Sequence, residues 1–83
     1  MTDTPTQTPV ELDARGLLCP MPIIRTAKAM KDLTPGQELR IQATDRGSVA
    51  DIPAWAESTG NDLVEWHEQD GVFVFLLRKG AEG

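Results

Sequence analysis

Residues 10–31, VELDARGLLCPMPIIRTAKAMK, combine two patterns that together decide the fold. Val10–Ala14 alternates apolar and polar residues, which is the period of a half-buried strand. From Ile23 onward the apolar residues recur at helical spacing, which predicts an amphipathic helix. Gly16, which can adopt a positive φ angle, predicts a turn between the two elements. The stretch therefore predicts a strand followed closely by a helix, with the sequence Cys-Pro-Met-Pro at their junction.

The predicted helix has an apolar and a basic side. Because residues three and four apart share one side of a helix, four apolar residues are expected on its buried side. These are Ile23, Ile24, Ala27 and Met30. The basic residues Arg25, Lys28 and Lys31 are expected largely on the opposite, solvent-facing side. The Pro35-Gly36 pair ends the helical stretch with a turn signal.

A second strand and helix are expected over Glu38–Thr44 and up to Gly60. Pro53 lacks an N–H group and is compatible only with the first turn of a helix, so regular helix is expected from about Asp51, after a looser turn from Ser48. The Ser-x-x-Asp spacing of Ser48 and Asp51 predicts a capping box at the start of this helix.

Two further strands, Asp62–Gln69 and Val72–Lys79, are joined by Asp70-Gly71, a strong hairpin signal. Val64 and Trp66 are expected on the inner face of the first, whereas the second is apolar on both faces and is expected in the centre of the sheet. The order β-α-β-α-β-β with right-handed crossovers predicts an α/β (α+β) two-layer sandwich. Its four-stranded mixed sheet carries both helices on one face and leaves the other face open.

The composition limits the domain organisation and the kinds of site. The chain has 83 residues and a net charge of −5, so we expect one small domain, residues 10–80, that does not bind nucleic acid directly. Residues 1–9, rich in Thr and Pro, are expected to be a disordered tail. The single cysteine excludes an internal disulfide and a multi-thiolate metal site, and no metal or cofactor is expected. Without a signal peptide or an apolar run near ~20 residues, a cytoplasmic protein with no membrane contact is expected.

Cys19 is the residue on which the chemistry is expected to depend. The N-terminus of a helix favours anions and lowers the pKa of a thiol placed there. Pro20 and Pro22 stiffen the turn, and the N–H groups of Met21 and of the residues after Pro22 are expected near the sulfur. We therefore expect Cys19 to be accessible and more acidic than a free thiol, and the prolines to affect presentation more than stability. The alternative is a small buried hydrophobic residue, as free cysteines often are.

The other candidate side chains have simpler interpretations. His67 lies among acidic residues of the predicted hairpin and is expected on the surface. Trp55 and Trp66 are expected in the core because of their apolar spacing. A lone activated cysteine, in contrast, can accept a group covalently and pass it on, and a sulfane sulfur held as a persulfide suits this chemistry best.

The segment Leu12–Pro22, LDARGLLCPMP, resembles the signature of the TusA/SirA family of small sulfur-carrier proteins, which is a Cys-Pro-x-Pro at the start of the first helix. Three shorter segments also resemble family features, so that the resemblance covers about residues 10–80. They are Leu33–Gly36, Asp51–Pro53 and Arg78–Gly80. The resemblance implies the same βαβαββ sandwich and a persulfide on Cys19, supported by Gly16, Pro20, Met21 and Pro22.

The family resemblance also implies partners. A cysteine desulfurase or a rhodanese would supply the sulfur, and an acceptor protein would receive it. The pathways implied are 2-thiouridine formation in tRNA, molybdenum-cofactor biosynthesis and dissimilatory sulfur oxidation. Such a protein is a carrier rather than a multiple-turnover enzyme. Two alternatives stay open, namely a non-catalytic interaction module and a thiol redox sensor.

A basic stripe is the candidate docking surface. Arg25, Lys28 and Lys31 are three residues apart on the predicted helix, and Arg15 precedes Cys19. In an acidic protein this stripe is expected to steer Cys19 toward acidic surfaces on donors or acceptors. The alternative is an ordinary solvated helix face.

Overall fold

The computed structural model describes residues 8–81 and has the predicted β-α-β-α-β-β order. The elements are β1 Val10–Ala14, α1 Met21–Lys31, β2 Glu38–Ala43, α2 Ser48–Thr59, β3 Asp62–Gln69 and β4 Val72–Arg78. Residues 1–7 of the expected tail lie outside the described residues.

The four strands form one mixed sheet in the order β1-β2-β4-β3. β1 and β2 pair in parallel, whereas β4 pairs antiparallel with both β2 and β3. The two-layer sandwich and the central position of β4 are therefore confirmed. The hairpin turn is also confirmed, because Asp70 and Gly71 both have positive φ angles, 54° and 83°, as a tight two-residue turn of this kind requires.

The core lies between the helices and one face of the sheet. Every second residue of β2 and β4 is buried there, and the helices add their own buried side chains. The members are Leu39, Ile41, Ala43, Phe73, Phe75 and Leu77 from the strands, and Pro22, Thr26, Met30, Ile52 and Ala56 from the helices. The opposite face of the sheet is uncovered in the described chain and carries a shallow groove between Arg40, Gln42, Val74 and Leu76.

The buried side of α1 differs from the expected one. Ile24 is 50% exposed, whereas Thr26 is fully buried. Burial of Thr26 is possible because its hydroxyl donates to the Pro22 carbonyl at 2.7 Å, which satisfies the polar group within the helix itself. The expectation that Ile24 belongs to the core was wrong, and this residue is instead presented to solvent.

The start of α2 also differs from the expectation. The helix is regular from Ser48 and contains Pro53, and no side-chain capping bond is present at Gly47, its N-cap. The N–H groups of Ser48 and Val49 bond to carbonyls of the preceding loop, so the helical turn is established well before Pro53. The capping box was therefore a wrong prediction, and the carboxylate of Asp51 has a different partner.

Strand β3 is less buried than expected. Val64 and Trp66 are 40% and 43% exposed, because β3 is the edge strand and its register with β4 shifts between Leu63 and Glu65. Trp66 stacks on Phe75 with ring centroids 5.8 Å apart, but the edge position leaves much of its surface uncovered. The inner-face prediction is thus confirmed for Trp66, which pairs with the buried Phe75, but its expected core position is wrong. Trp55 packs half-buried against the core.

A half-buried lysine joins the end of β4 to the end of α1. The ammonium of Lys79 donates to the carbonyl oxygens of Met30 and Leu33, at 3.0 and 2.7 Å. These carbonyls belong to the last turn of α1 and the residues after it, where a helix leaves acceptors without partners and favours a positive charge. Lys79 therefore closes the C-terminal end of the helix that begins beside Cys19.

Replacing Lys79 with Met is expected to lower the free energy of unfolding by about 1–3 kcal/mol, because two partly buried carbonyls lose a charged donor. Urea denaturation followed by circular dichroism measures this change. Lys31→Met is the matched control: it removes an exposed basic residue from the same helix end and is expected to cost less than ~0.5 kcal/mol. An equal loss of unfolding free energy in the two variants would contradict the stabilising role of the Lys79 hydrogen bonds.

Candidate functional site

Cys19 lies in the connection between β1 and α1 and is exposed, as expected. The connection leaves β1 through Gly16, whose φ angle of 81° favours glycine. The Gly16 N–H donates to the Thr44 hydroxyl at 2.9 Å, which ties this connection to the residue after β2. The peptide bond between Cys19 and Pro20 is cis. Cys19 is thus held on a short connection that is anchored to the neighbouring strand.

Two carboxylates from the second β-α connection meet Cys19. Its backbone N–H donates to Asp45 Oδ2 at 3.1 Å, and its thiol donates to Asp51 Oδ2 at 3.3 Å. Asp45 follows β2, and Asp51 lies in the first turn of α2. Because β1 and β2 are parallel, their carboxyl ends lie at the same edge of the sheet, and the two β-α connections face each other there.

Gly47 lies beside both carboxylates. A Cβ atom at this position would lie 3.2 Å from Asp45 Oδ2 and 3.8 Å from Asp51 Oδ2. The φ angle of Gly47 is −59°, which any residue can adopt, so a side chain here would be limited by its tight contact with the Asp45 carboxylate rather than by the backbone. The two acidic side chains therefore converge over Gly47 beside the cysteine.

The electrostatics of Cys19 are opposite to those expected. The hydrogen bond to Asp51 raises the pKa of the thiol above its ordinary value, and burial and the charges of Asp51 and Asp45 act in the same direction. A nearby negative charge disfavours the thiolate. The prediction of a more acidic thiol was therefore wrong.

The N–H groups at the start of α1 donate their hydrogen bonds to backbone carbonyls and not to the sulfur of Cys19. The Met21 N–H bonds to the carbonyl of Leu18 at 2.8 Å, and those of Ile23 and Ile24 bond to the carbonyl of Pro20 at 3.1 Å. These donors are thus already paired within the turn. The direct contact with a full carboxylate charge then outweighs the partial charge of the helix end.

The two prolines differ in their surroundings. Pro20 is the exposed N-cap residue of α1, and Met21 is the first residue of the helix. Pro22 is fully buried, so its ring contributes to the core as well as to the stiffness of the turn. The burial of Pro22 adds packing energy to its effect on the turn, and the expectation that both prolines matter more for presentation than for stability stays a prediction.

Exposed apolar residues lie close to Cys19 in the sequence, and exposed basic residues follow along α1. Leu18, Met21 and Ile24 are 72%, 37% and 50% exposed. Further along α1, three basic side chains are exposed. We call these six residues the α1 patch: Leu18, Met21, Ile24, Arg25, Lys28 and Lys31.

Arg15 is exposed but is not a free cation. Its guanidinium forms two bonds to the carboxylate of Asp13, at 2.9 and 3.0 Å. This hydrogen bonding lowers the pKa of Asp13 to about 2, so the pair stays charged throughout the neutral range. Arg15 is therefore held as the partner of Asp13, and its place in a docking surface stays a prediction.

Asp45 and Asp51 are the residues of this site that sequence reasoning missed. The sequence pattern assigns Asp51 to a capping box and gives Asp45, which follows the second strand, no role. The available signal was topological: a parallel β1–β2 pair brings the residues that follow both strands to one edge. Within residues 8–81 no group of three His, Cys, Asp or Glu side chains is arranged to hold a metal ion. The same residues include no helix long and apolar enough to cross a membrane.

Comparison with known proteins identifies the family. Residues 10–79 match the family model of sulfurtransferase TusA. The chain belongs to the TusA/SirA family. TusA of Allochromatium vinosum, named a sulfur carrier protein, is 51% identical over 69 residues, which are 83% of this chain and 91% of that protein.

Other relatives of this TusA/SirA family member agree in sequence and in fold. YrkF of Bacillus subtilis is 51% identical over 73 residues; the match covers 88% of this chain but 40% of YrkF. The crystal structure of a SirA-like protein from Desulfitobacterium hafniense has a TM-score of 0.77 at 30% identity and covers 86% of this chain and 97% of its own. The fold around Cys19 is thus that of the family.

The carboxylate contact can be tested on the thiol alone. Asp51→Asn removes the charge that holds the pKa of Cys19 above its ordinary value, so the thiolate fraction at neutral pH is expected to rise. Alkylation by iodoacetamide, followed against pH, should then be severalfold faster near pH 7, with its inflection moved to lower pH. Glu57→Gln removes one exposed charge from the same helix and serves as the control. An unchanged inflection in Asp51→Asn would contradict the assignment.

Proposed function

We propose that this protein is a sulfur carrier that holds a sulfane sulfur as a persulfide on Cys19 and relays it between proteins. The observation that carries the proposal is the exposed Cys19, placed by the Cys-Pro-x-Pro segment at the start of α1 in a TusA/SirA chain. The names of relatives from several organisms, which include sulfur carrier protein TusA, support the same role.

The chemistry requires an accessible sulfur and no competing thiol. A thiolate attacks the outer sulfur of a persulfide, the S–S bond breaks, and the sulfane sulfur passes to the attacker without net oxidation. Since Cys19 is the single cysteine of the chain, a persulfide on it cannot collapse into an internal disulfide. The loaded form therefore persists until the thiol of another molecule reaches it.

The partners follow from this chemistry. The donor is a protein that carries a persulfide, such as a cysteine desulfurase or a rhodanese, and the acceptor is a protein with a reactive thiol. We place the exchange in the cytoplasm and propose 2-thiouridine formation, molybdenum-cofactor biosynthesis or sulfur oxidation as its destination. The choice among these destinations is made by the acceptor, because the Cys19 site offers the same exposed sulfur to each.

A redox sensor fits the site less well. Sensor cysteines react through a readily formed thiolate, whereas the hydrogen bond to Asp51 raises the pKa of Cys19. A binding module without sulfur chemistry would use the same surface but would leave the thiol unchanged. Sulfur loading of Cys19 separates these alternatives from the carrier.

Incubation with a cysteine desulfurase and cysteine is expected to add the mass of one or more sulfur atoms to the protein. Treatment with dithiothreitol should remove this added sulfur. Cys19→Ser should fold normally, because the side chain is exposed, and should gain no sulfur. Intact-protein mass spectrometry measures both results, and circular dichroism confirms the fold of the variant. A parent protein that gains no sulfur, or a variant that gains as much, would refute the proposal.

The α1 patch is the proposed docking surface for donors and acceptors. Its apolar members, Leu18, Met21 and Ile24, lie within five residues of Cys19 in the chain, and exposed apolar groups of this size contribute to protein interfaces. The basic residues beyond them provide complementarity to acidic partner surfaces. Such charges act mainly on association rate and salt dependence.

Neutralising the stripe with Arg25→Gln and Lys28→Gln is expected to slow loading by the desulfurase severalfold at low salt and less at moderate salt. Alkylation of Cys19 by a small reagent should be unchanged. The matched control is Arg40→Gln with Arg78→Gln, which removes the same net charge from the uncovered sheet face and breaks only exposed ion pairs. Equal loading by all three proteins at both salt concentrations would show that the stripe does not dock partners.

A further inference from the structure

The contact between Asp51 and Cys19 has a consequence for the reaction itself. Asp51 Oδ2 lies 3.3 Å from Cys19 Sγ and accepts the hydrogen bond of the thiol. In a persulfide the same Sγ becomes the inner sulfur, and the carried sulfur is bonded to its other side. Asp51 therefore contacts the atom that loses a proton when sulfur arrives and needs one when sulfur leaves.

The position of Asp51 is well defined. It lies in the first turn of α2, where its N–H bonds to the Gly47 carbonyl at 3.0 Å, and its side chain is half-buried. The second carboxylate, Asp45, is bound by the backbone N–H of Cys19 and not by the thiol. The two acids thus differ in what they bond, although they bring the same charge to the site.

Cys19 itself is exposed, so a partner sulfur can approach it from the solvent side. Asp51 is the side chain that the thiol bonds in residues 8–81. The charged groups that act on the thiol are Asp51 of α2 and Asp45 of the preceding loop, while Arg15 of its own connection is paired with Asp13. A proton that leaves Sγ therefore has Asp51 as its direct acceptor.

We propose that Asp51 moves the proton of Cys19 in both half-reactions, accepting it when sulfur is loaded and returning it to Sγ when sulfur is delivered. This inference rests on the proposed sulfur-carrier function and assigns a catalytic residue to it.

Loading is balanced as follows. The Cys19 thiol and a donor persulfide, R–S–SH, meet. Sγ attacks the outer sulfur, the new S–S bond forms, and the S–S bond of the donor breaks. The donor leaves as the thiolate R–S⁻, and the proton of Sγ passes to Asp51. The products are the Cys19 persulfide, the protonated Asp51 and R–S⁻, with no oxidant or reductant required.

Delivery is the same step in reverse with a new partner. An acceptor thiolate, A–S⁻, attacks the outer sulfur of the Cys19 persulfide. The bond from this sulfur to Sγ breaks, and the electron pair goes to Sγ, which takes the proton of Asp51. The products are A–S–SH, the neutral Cys19 thiol and the Asp51 carboxylate. The thiol-to-carboxylate hydrogen bond seen in the structure is the end point of this step.

The assignment makes two properties of Asp51→Asn change in opposite directions. Loss of the carboxylate makes the free thiol easier to ionise and faster to alkylate. Loss of the proton carrier makes the departing Sγ leave as an unassisted thiolate and slows delivery. A purely electrostatic role would not slow delivery in this way, because removing a negative charge beside the departing Sγ makes thiolate departure easier.

The test uses full-length protein loaded with glutathione persulfide and freed of excess reagent. Delivery to glutathione is followed by mass spectrometry across pH in H₂O and D₂O. In Asp51→Asn, delivery near pH 7 is expected to fall about tenfold or more, and the solvent isotope effect is expected to disappear. Asp51→Glu should restore much of the rate, and Asp45→Asn should deliver severalfold faster than Asp51→Asn. Circular dichroism confirms that each variant is folded.

Three outcomes would overturn the inference: Asp51→Asn delivers as fast as the parent, Asp45→Asn slows delivery equally, or the isotope effect survives in Asp51→Asn. Failure of the proposed function itself looks different, because the parent protein would then gain no sulfur on Cys19. An Asp51→Asn variant that loads fully on long incubation but delivers slowly supports both the function and the inference.

Discussion

The parallel pairing of β1 with β2 is the constraint on which the site depends. It places the residues that follow both strands at one edge of the sheet, so the connection that carries Cys19 lies against the connection that carries Asp45. Both helices pack against the same core on one face of the sheet, and each helix follows a strand that ends at this edge. A cysteine and an aspartate 32 positions apart in the chain thereby come within hydrogen-bond distance.

The electrostatics at this edge favour a neutral thiol in the free protein. Two helices begin here, and their partial positive charges would stabilise a thiolate. The N–H groups at the start of α1, however, are paired with carbonyls of the same turn, while a full carboxylate bonds the sulfur directly. The carboxylate is the nearer and larger charge, so it decides the direction in which the pKa of Cys19 shifts. The thiol is thus restrained from ionising while its sulfur stays exposed.

The exposed side of α1 and its buried side serve separate purposes. Thr26 and Met30 pack on the sheet, and Lys79 closes the far end of the helix by binding its last carbonyls. The helix so formed leaves Met21 and Ile24 exposed in its first turn.

The element order, the hairpin at Asp70-Gly71 and the family signature around Cys19 were all predictable from the sequence, because turn chemistry and apolar periodicity are local properties. The accessibility of Cys19 was predictable for the same reason. The burial and bonding of the wrongly predicted residues depend on neighbours that are distant in the chain. Trp66 is exposed because β3 is an edge strand, and strand order is not a local property.

Asp51 shows the limit most clearly. Its local spacing from Ser48 satisfies a capping box, but the parallel β1–β2 pair brings Cys19 to the same edge, and the carboxylate bonds the thiol instead. The sequence by itself determined which residue is the single cysteine of the family signature and that it lies on an accessible turn before a helix. Only the tertiary structure decided which charge faces that sulfur, because the strength of an electrostatic contact depends on distance in space and not on separation along the chain.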